Sequence, residues 1–271
     1  MPRAFVNQVD IAYDDSGAGP NALLLVHGHP FDRSMWQPQV KHPLHRGWRV
    51  ITPDLRGYGA SSVVPGVTRL DVFARDLAAL LDHLRIQDVV IGGLSMGGQI
   101  VMSFAQLFPE RVRGMLLAAT FPQAETEEGK RRRNEMADRL LREGMDAYAT
   151  EALPKMLAPR HIEQMPDVAQ HVLTMMRATA PEGAAAALRG RAERPDYSGT
   201  LAMLNLPALV VVGSEDAFTT RDDAEHMHKC LRGSELLWLE GVGHMPNLER
   251  PAAFNAALDR LLARAIVHVL A

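Results

Sequence analysis

Short apolar runs alternate along the chain with longer segments whose apolar residues recur at helical spacing. Six of these runs are bounded by Gly, Pro or Asp, a pattern typical of short strands buried on both faces of a parallel sheet. They cover residues 22–26, 49–52, 89–92, 114–119, 208–212 and 235–239. An alternating N-terminal stretch that ends in the turn sequence SGAGPN predicts a further pair of strands, which makes eight.

Amphipathic segments predict helices over residues 71–84, 96–108, 222–230 and 251–263. In the first of them the large apolar side chains share one face, and the last begins with Pro251, a residue favoured in the first turn of a helix. Strands that alternate with helices in this way predict an α/β fold, in which a mostly parallel sheet carries helices on both faces.

One long segment, residues 121–200, interrupts the alternation. It shows helical spacing without a convincing strand, and it contains Pro154, Pro159, Pro166, Pro181 and Pro195. We interpret it as a helical cap that is inserted into a core made of residues 1–120 and 201–271. We expect this cap to cover the carboxyl ends of the strands.

A G-x-S-x-G motif occupies residues 93–97, between a predicted strand and a predicted helix. In that context the serine lies in a strained turn that exposes its hydroxyl at the edge of the sheet. The backbone N–H of Met96, at the start of the helix, points to the place where an oxyanion would form. We therefore predict Ser95 as a nucleophile and Met96 as one donor of an oxyanion hole.

The loop after the first core strand reads His-Gly-His-Pro at residues 27–30. Acyl transfer needs a second N–H donor for the oxyanion, and the position of the loop favours the backbone N–H of His29. We interpret His27 as a structural residue that braces the loop. A metal site on the two histidines is disfavoured, because the sequence offers no third ligand at a suitable spacing.

His244 stands in a glycine-rich loop after the last strand, and two acids, Glu215 and Asp216, follow the strand before it. A histidine at the edge of the sheet suits a general base that must reach Ser95. We predict Asp216 as the carboxylate that orients His244, and Glu215 as a solvated neighbour. The chain order Ser, Asp, His differs from the order in the two well-known families of serine proteases.

Composition narrows the class of protein. The chain has 271 residues, of which 47% are hydrophobic, and its formal net charge is −3, so nothing favours a nucleic-acid partner or an acidic membrane. One cysteine excludes an intrachain disulfide, and no apolar run is long enough to span a membrane. Without a signal-peptide pattern, we expect a soluble cytoplasmic protein. We interpret the basic run at residues 130–133 as a solvated helix face.

Five signatures, in this order, resemble those of the α/β-hydrolase superfamily over nearly the whole chain. They are HGHP at residues 27–30, PDLRGYGAS at 53–61, GLSMGG at 93–98, GSEDAF at 213–218 and GVGHMPNLERP at 241–251. The resemblance implies the α/β-hydrolase fold, with a mostly parallel eight-stranded sheet, flanking helices and a helical cap. It also implies a chiefly structural role for Arg56. The motif GLSMGGQI and the histidine loop look most like the 3-oxoadipate enol-lactonase, carboxylesterase and cofactor-free haloperoxidase branch.

We therefore expect a serine hydrolase that cleaves a small-molecule carboxylic ester or lactone through an acyl-enzyme on Ser95, without a metal or organic cofactor. Haloalkane dehalogenases and epoxide hydrolases of this fold use an aspartate nucleophile and are excluded. For the substrate pocket we predict Trp36 and Phe121, and for Trp36 packing against the first helix is the alternative. His29 departs from the family, which often has an apolar residue there.

The sequence leaves three alternative functions open. Perhydrolysis would use the same three catalytic residues with peroxide in place of water. Hydrolysis of a C–C bond is disfavoured, because such relatives commonly carry Asn before the nucleophile and Trp after the base, where this chain has Leu94 and Met245. A binding protein without catalytic activity is disfavoured, because all three candidate catalytic residues are present.

Overall fold

The computed structural model describes residues 1–42 and 47–269. Eight strands of this described part form one sheet. They are β1 (Arg3–Val6), β2 (Val9–Ser16), β3 (Asn21–Val26), β4 (Trp48–Pro53), β5 (Val89–Leu94), β6 (Val112–Ala118), β7 (Ala208–Gly213) and β8 (Glu235–Leu239). Each apolar run singled out in the sequence lies within one of the strands β3 to β8 or overlaps it to within a residue or two.

The sheet has the order β1-β2-β4-β3-β5-β6-β7-β8. Strand β2 is antiparallel to β1 and to β4, and all the other pairs are parallel. Every residue of β5 and of β7 is buried, as expected of parallel strands that are covered on both faces. The predicted fold class is confirmed.

The helices in the described residues carry the labels α1 to α12. Those that flank the sheet are α1 (Gln37–Val40), α2 (Leu70–His83), α3 (Met96–Leu107), α10 (Arg221–Cys230), α11 (Pro246–Glu249) and α12 (Pro251–Val269). Along β3, Leu24 and Val26 belong to one buried apolar cluster, together with residues of α2, α3 and α10. Leu23 and Leu25 belong to a second cluster, together with residues of α12. The alternation places these two groups of helices on opposite faces of the sheet. No helix in the described parts of the chain has the length and apolar character needed to cross a membrane.

A helical insertion, defined here as α4 to α9, lies between β6 and β7. Its helices are α4 (Glu127–Glu143), α5 (Asp146–Met156), α6 (Pro159–Gln164), α7 (Pro166–Ala178), α8 (Pro181–Ala192) and α9 (Ser198–Met203). Proline occupies the first position of α6, α7 and α8, where its missing N–H costs no hydrogen bond. Helix α4 packs along α8, and Ala137, Leu140 and Leu188 belong to their buried contact.

The insertion touches the core where two glycines meet. Gly183, in the first turn of α8, lies so close to Gly57, in the loop after β4, that a Cβ added at Gly183 would stand 2.0 Å from the carbonyl oxygen of Gly57. Thr68 of the core also donates its backbone N–H to the carbonyl of Ala186 in α8, at 2.9 Å. Helix α8 is therefore held against the core by its backbone.

We predict that Gly183→Ala lowers the free energy of unfolding by about 1–3 kcal/mol, because the new methyl group meets a backbone oxygen that has no room to move. Gly199→Ala is the matched control, since a Cβ there has no heavy atom within 4 Å. It is expected to be neutral or to stabilise by up to about 1 kcal/mol. Urea denaturation of the three proteins checks this, and equal stability of both variants would contradict the close contact.

Candidate active site

Ser95 lies in a sharp turn between β5 and α3. Its backbone angles are φ 56° and ψ −117°, a left-handed conformation that L side chains rarely adopt. Two hydrogen bonds hold the turn: the N–H of Ser95 donates to the carbonyl of Ala118 at 2.9 Å, and the hydroxyl of Thr120 donates to the carbonyl of Ser95 at 2.8 Å. The end of β6 therefore fixes the strained conformation.

The glycines of the G-x-S-x-G motif are needed for close packing of the backbone. A Cβ at Gly97 would stand 2.2 Å from the carbonyl oxygen of Val26, and one at Gly93 would stand 2.3 Å from Gly97 itself. The chain can thus turn from β5 into α3 directly beside the end of β3 only when these positions carry no side chain.

The two predicted oxyanion donors come from adjacent elements. Strands β3 and β5 pair up to Val26 and Gly93, so the loops that follow them begin side by side. A Cβ at Gly28 would stand 3.3 Å from the Cβ of Ser95. The N–H of Met96 is in the first turn of α3 and has no acceptor within that helix.

His244 and Asp216 lie in the loops after β8 and β7. Nδ1 of His244 is 2.9 Å and 3.0 Å from the two carboxylate oxygens of Asp216. The same carboxylate accepts the backbone N–H groups of Phe218, at 2.8 Å, and Thr219, at 3.2 Å. Both side chains are almost completely buried, whereas Glu215 is exposed. The structure thus brings Asp216, and not Glu215, to the histidine.

Ser95 and His244 line one cavity of about 180 Å³. Phe121 is on its wall as well, and the guanidinium of Arg194 lies 4.9 Å from the centre of the Phe121 ring. The insertion contributes a large part of this wall, through Arg133, Tyr148, Met156, Leu188 and Arg191. An adjoining cavity of about 410 Å³ shares Arg133, Tyr148, Met156, Leu188 and Phe218 with the first.

Trp36 is not part of the cavity wall, contrary to the prediction of a pocket residue. Its side chain is fully buried, and its ring centre lies 6.2 Å from that of Phe254 in α12. It belongs to the apolar cluster on that face of the sheet. Trp36 therefore packs the 3₁₀ turn Arg33–Trp36 and the following helix α1 against α12, which is the alternative interpretation.

The two histidines of the HGHP loop have different surroundings. Nδ1 of His27 is 2.8 Å from the carbonyl of Gly28, and its Nε2 accepts the N–H of Leu55 at 2.9 Å. Both ring nitrogens are thus engaged in bracing the loop. Among residues 1–42 and 47–269, no three His, Cys, Asp or Glu side chains are grouped so that they could hold a metal ion.

The ring of His29 faces the cavity. Its Nδ1 is 2.8 Å from the hydroxyl of Tyr58, and its Nε2 is buried with no hydrogen-bond partner among the described residues. Burial, reinforced by the positive charges of Arg191 and Arg133, holds the pKa of His29 well below the ordinary value of 6.5. This imidazole is therefore neutral.

Glu249, which the sequence analysis did not single out, connects the histidine loop to the insertion. One carboxylate oxygen accepts the N–H groups of Gly243, at 3.1 Å, and Ala158, at 2.9 Å, and lies 2.6 Å from Nδ1 of His161. The other oxygen accepts the N–H of Met245 at 3.2 Å. The peptide groups on both sides of His244 are thus held by one buried carboxylate.

Arg133 and Arg191 were also missed. The basic run at residues 130–133 was interpreted as solvated, and Arg132 is indeed exposed, but the side chain of Arg133 is only 20% exposed and lines the cavity. The signal was the helical period, because Arg133 precedes the buried Ala137 and Leu140 by four and seven residues. Arg191 lies at the buried end of an alanine-rich helix, where the sequence has no comparable signal.

We predict that Glu249→Gln lowers the free energy of unfolding by about 2–4 kcal/mol, because an amide in place of the carboxylate leaves buried N–H groups without an acceptor. It should also slow covalent labelling of Ser95 by a fluorophosphonate, since His244 loses its fixed position. Glu240→Gln, an exposed glutamate in the same loop, is the control. Equal stability and equal labelling rates in the two variants would contradict a positioning role.

Comparison with known proteins identifies the family of this chain. The model of the alpha/beta hydrolase family matches residues 23–257. The chain is 32% identical to 3-oxoadipate enol-lactonase 2 of Acinetobacter baylyi, over 90% of this chain and 89% of that one. Among solved structures, a thermophilic esterase from Thermogutta terrifontis with malate bound has a TM-score of 0.93 at 35% identity, and covers 98% of this chain and 99% of its own.

The enol-lactonase from Burkholderia xenovorans has a TM-score of 0.89 at 27% identity, over 97% of this chain and 100% of that one. The match of the family model covers most of the described residues, and it includes Ser95, Asp216 and His244. The chain belongs to the alpha/beta hydrolase family.

Proposed function

We propose that the protein is a serine hydrolase that cleaves a small-molecule carboxylic ester or lactone. One observation carries the proposal: Nδ1 of His244 faces both oxygens of Asp216 while the ring lines the same cavity as Ser95. With its proton on Nδ1, the neutral imidazole has its lone pair on Nε2, the nitrogen that must accept the proton of Ser95.

The reaction proceeds in two halves. Oγ of Ser95 attacks the carbonyl carbon while its proton passes to Nε2 of His244, and the N–H groups of His29 and Met96 donate to the resulting oxyanion. The intermediate collapses as His244 gives the proton to the leaving alkoxide, which in a lactone stays attached to the acyl group. Water, deprotonated by His244, then releases the acid and restores Ser95.

Three relatives support esters and lactones as substrates. An esterase and two enol-lactonases are similar to this chain over 89% or more of their own lengths. The insertion acts as the cap in this proposal, because it supplies a large part of the wall of the cavity that Ser95 lines. Substrate choice then depends on the insertion, and bond cleavage depends on the core.

We predict that Ser95→Ala lowers kcat for p-nitrophenyl esters or lactones by about 10⁴-fold, with the fold unchanged by circular dichroism. A fluorophosphonate should label the wild type and not this variant, because the Oγ of Ser95 displaces the fluoride. Persistent labelling of Ser95→Ala would contradict the assignment.

Asp216→Asn should lower kcat by about 10²- to 10⁴-fold, since the amide no longer fixes the proton on Nδ1 of His244. Glu215→Gln, which changes the exposed neighbouring acid, is its control.

The pH dependence of kcat/KM should have an acid limb, because His244 must be neutral to act as a base. We expect His29 not to contribute to this limb, because burial and the nearby arginines hold its pKa well below the ordinary value of 6.5. We predict that His29→Gln, which retains a partner for Tyr58, leaves the midpoint within about 0.3 pH units of the wild type. Profiles between about pH 5 and 9 test this, and loss of the limb would assign it to His29.

A further inference from the structure

Arg191 is a buried positive charge on the wall of the active-site cavity. Only 8% of Arg191 is exposed, and its Nε donates to the side-chain oxygen of Gln99 at 3.1 Å. Among the described residues no carboxylate forms an ion pair with it. A buried guanidinium is normally neutralised by an acid, because removing an unpaired charge from water is costly.

The surrounding charges do not supply that acid. Arg133 and Arg194 both pair with Glu125, and in the second pair the nitrogen and oxygen are 3.5 Å apart. Two guanidinium groups therefore share the carboxylate of Glu125, and Arg191 forms no ion pair with it. Burial, together with the positive charges of Arg133 and Arg194, lowers the pKa of Arg191 well below its ordinary value.

An unsatisfied neutral donor lies beside the charge. The oxygen of the Gln99 amide is taken by Arg191, while its nitrogen is buried with no hydrogen-bond partner among the described residues. Gln99 is 1% exposed and lines the same cavity as Ser95. Buried donors of this kind are normally paired, so the cavity presents a guanidinium without a carboxylate partner beside an amide N–H without an acceptor.

We propose that Arg191 and Gln99, with Arg133 nearby, form an anion subsite that binds a carboxylate carried by the ester or lactone substrate. This inference rests on the proposed function, because it names the class of substrate for the cavity of Ser95. A carboxylate satisfies both donors, and a guanidinium is suited to bind it through two parallel hydrogen bonds. The bound substrate supplies the charge that the protein lacks.

The volume of the cavity limits the size of the acyl group that carries the carboxylate. Its volume of about 180 Å³ is slightly greater than that of engineered cavities of about 150 Å³ that hold a benzene molecule. The acyl part is therefore a short chain or small ring that carries the carboxylate. A bulky or hydrophobic leaving group extends into the adjoining cavity of about 410 Å³.

The first test measures binding and requires no catalysis. Calorimetric titration compares glutarate with its neutral diamide, glutaramide, at constant ionic strength, on wild type, Arg191→Met and Arg189→Met. Arg189 is the matched control, because it is on the same helix but pairs with Asp138 at the surface. We expect glutarate to bind wild type and Arg189→Met at least about 10-fold more tightly than Arg191→Met. Equal binding of glutarate to all three proteins would overturn the subsite.

The second test measures selectivity between two esters of similar shape. These are the p-nitrophenyl monoester of glutarate and p-nitrophenyl 5-methylhexanoate, in which an isopropyl group replaces the carboxylate. We expect the ratio of their kcat/KM values to fall about 30-fold in Arg191→Met and to stay unchanged in Arg189→Met. Gln99→Met, a second variant that removes the amide donor, should lower the same ratio.

These outcomes separate the two proposals. Hydrolysis of both esters with no preference that depends on Arg191 would refute the subsite and leave the hydrolase function intact. Binding of glutarate that depends on Arg191, in a protein whose Ser95 is not labelled by a fluorophosphonate, would support the subsite and refute the serine mechanism.

Discussion

The conformation of one residue, Ser95, places a constraint on everything around it. A serine at φ 56° between a strand and a helix is strained, and it persists only because its neighbours leave the chain no other path. Val26 blocks any side chain at Gly97, while Ala118 and Thr120 bind the peptide groups of the turn. Three adjacent parallel strands, β3, β5 and β6, are therefore needed to build a single exposed hydroxyl.

Charge is distributed unevenly around that hydroxyl. On the side of the histidine loop, Asp216 and Glu249 each bind backbone N–H groups together with a histidine ring, so their negative charges are used to position groups. On the part of the wall that the insertion contributes, Arg133 pairs with Glu125, and Arg191 has no carboxylate partner among the described residues. A neutral His29 lines the same cavity, where a charged imidazole would be repelled by both arginines.

The features predictable from the sequence are those that involve several residues in a regular pattern. Strands β3 to β8 appear as apolar runs. Ser95 and His244 stand in glycine-rich motifs, and the neighbouring sequence is enough to show which strand or helix each motif follows or precedes. Single residues whose contacts depend on the packing of distant segments were harder to predict. Trp36 was wrongly placed on the pocket wall, because only the position of α12 shows that its ring is covered by Phe254.

The position of Arg191 also depends on the packing of distant segments, which is why the sequence does not predict it. Helix α8 approaches the core at two glycines: Gly183 meets Gly57, and a Cβ at Gly190 would stand 1.7 Å from the carbonyl oxygen of Thr68. Arg191 follows Gly190 directly, so its guanidinium enters the cavity at a depth set by backbone contacts. A helix composed mostly of alanine and glycine is well suited to carry a buried charge. Its small side chains let its backbone approach the core closely, which fixes the position of the charged side chain.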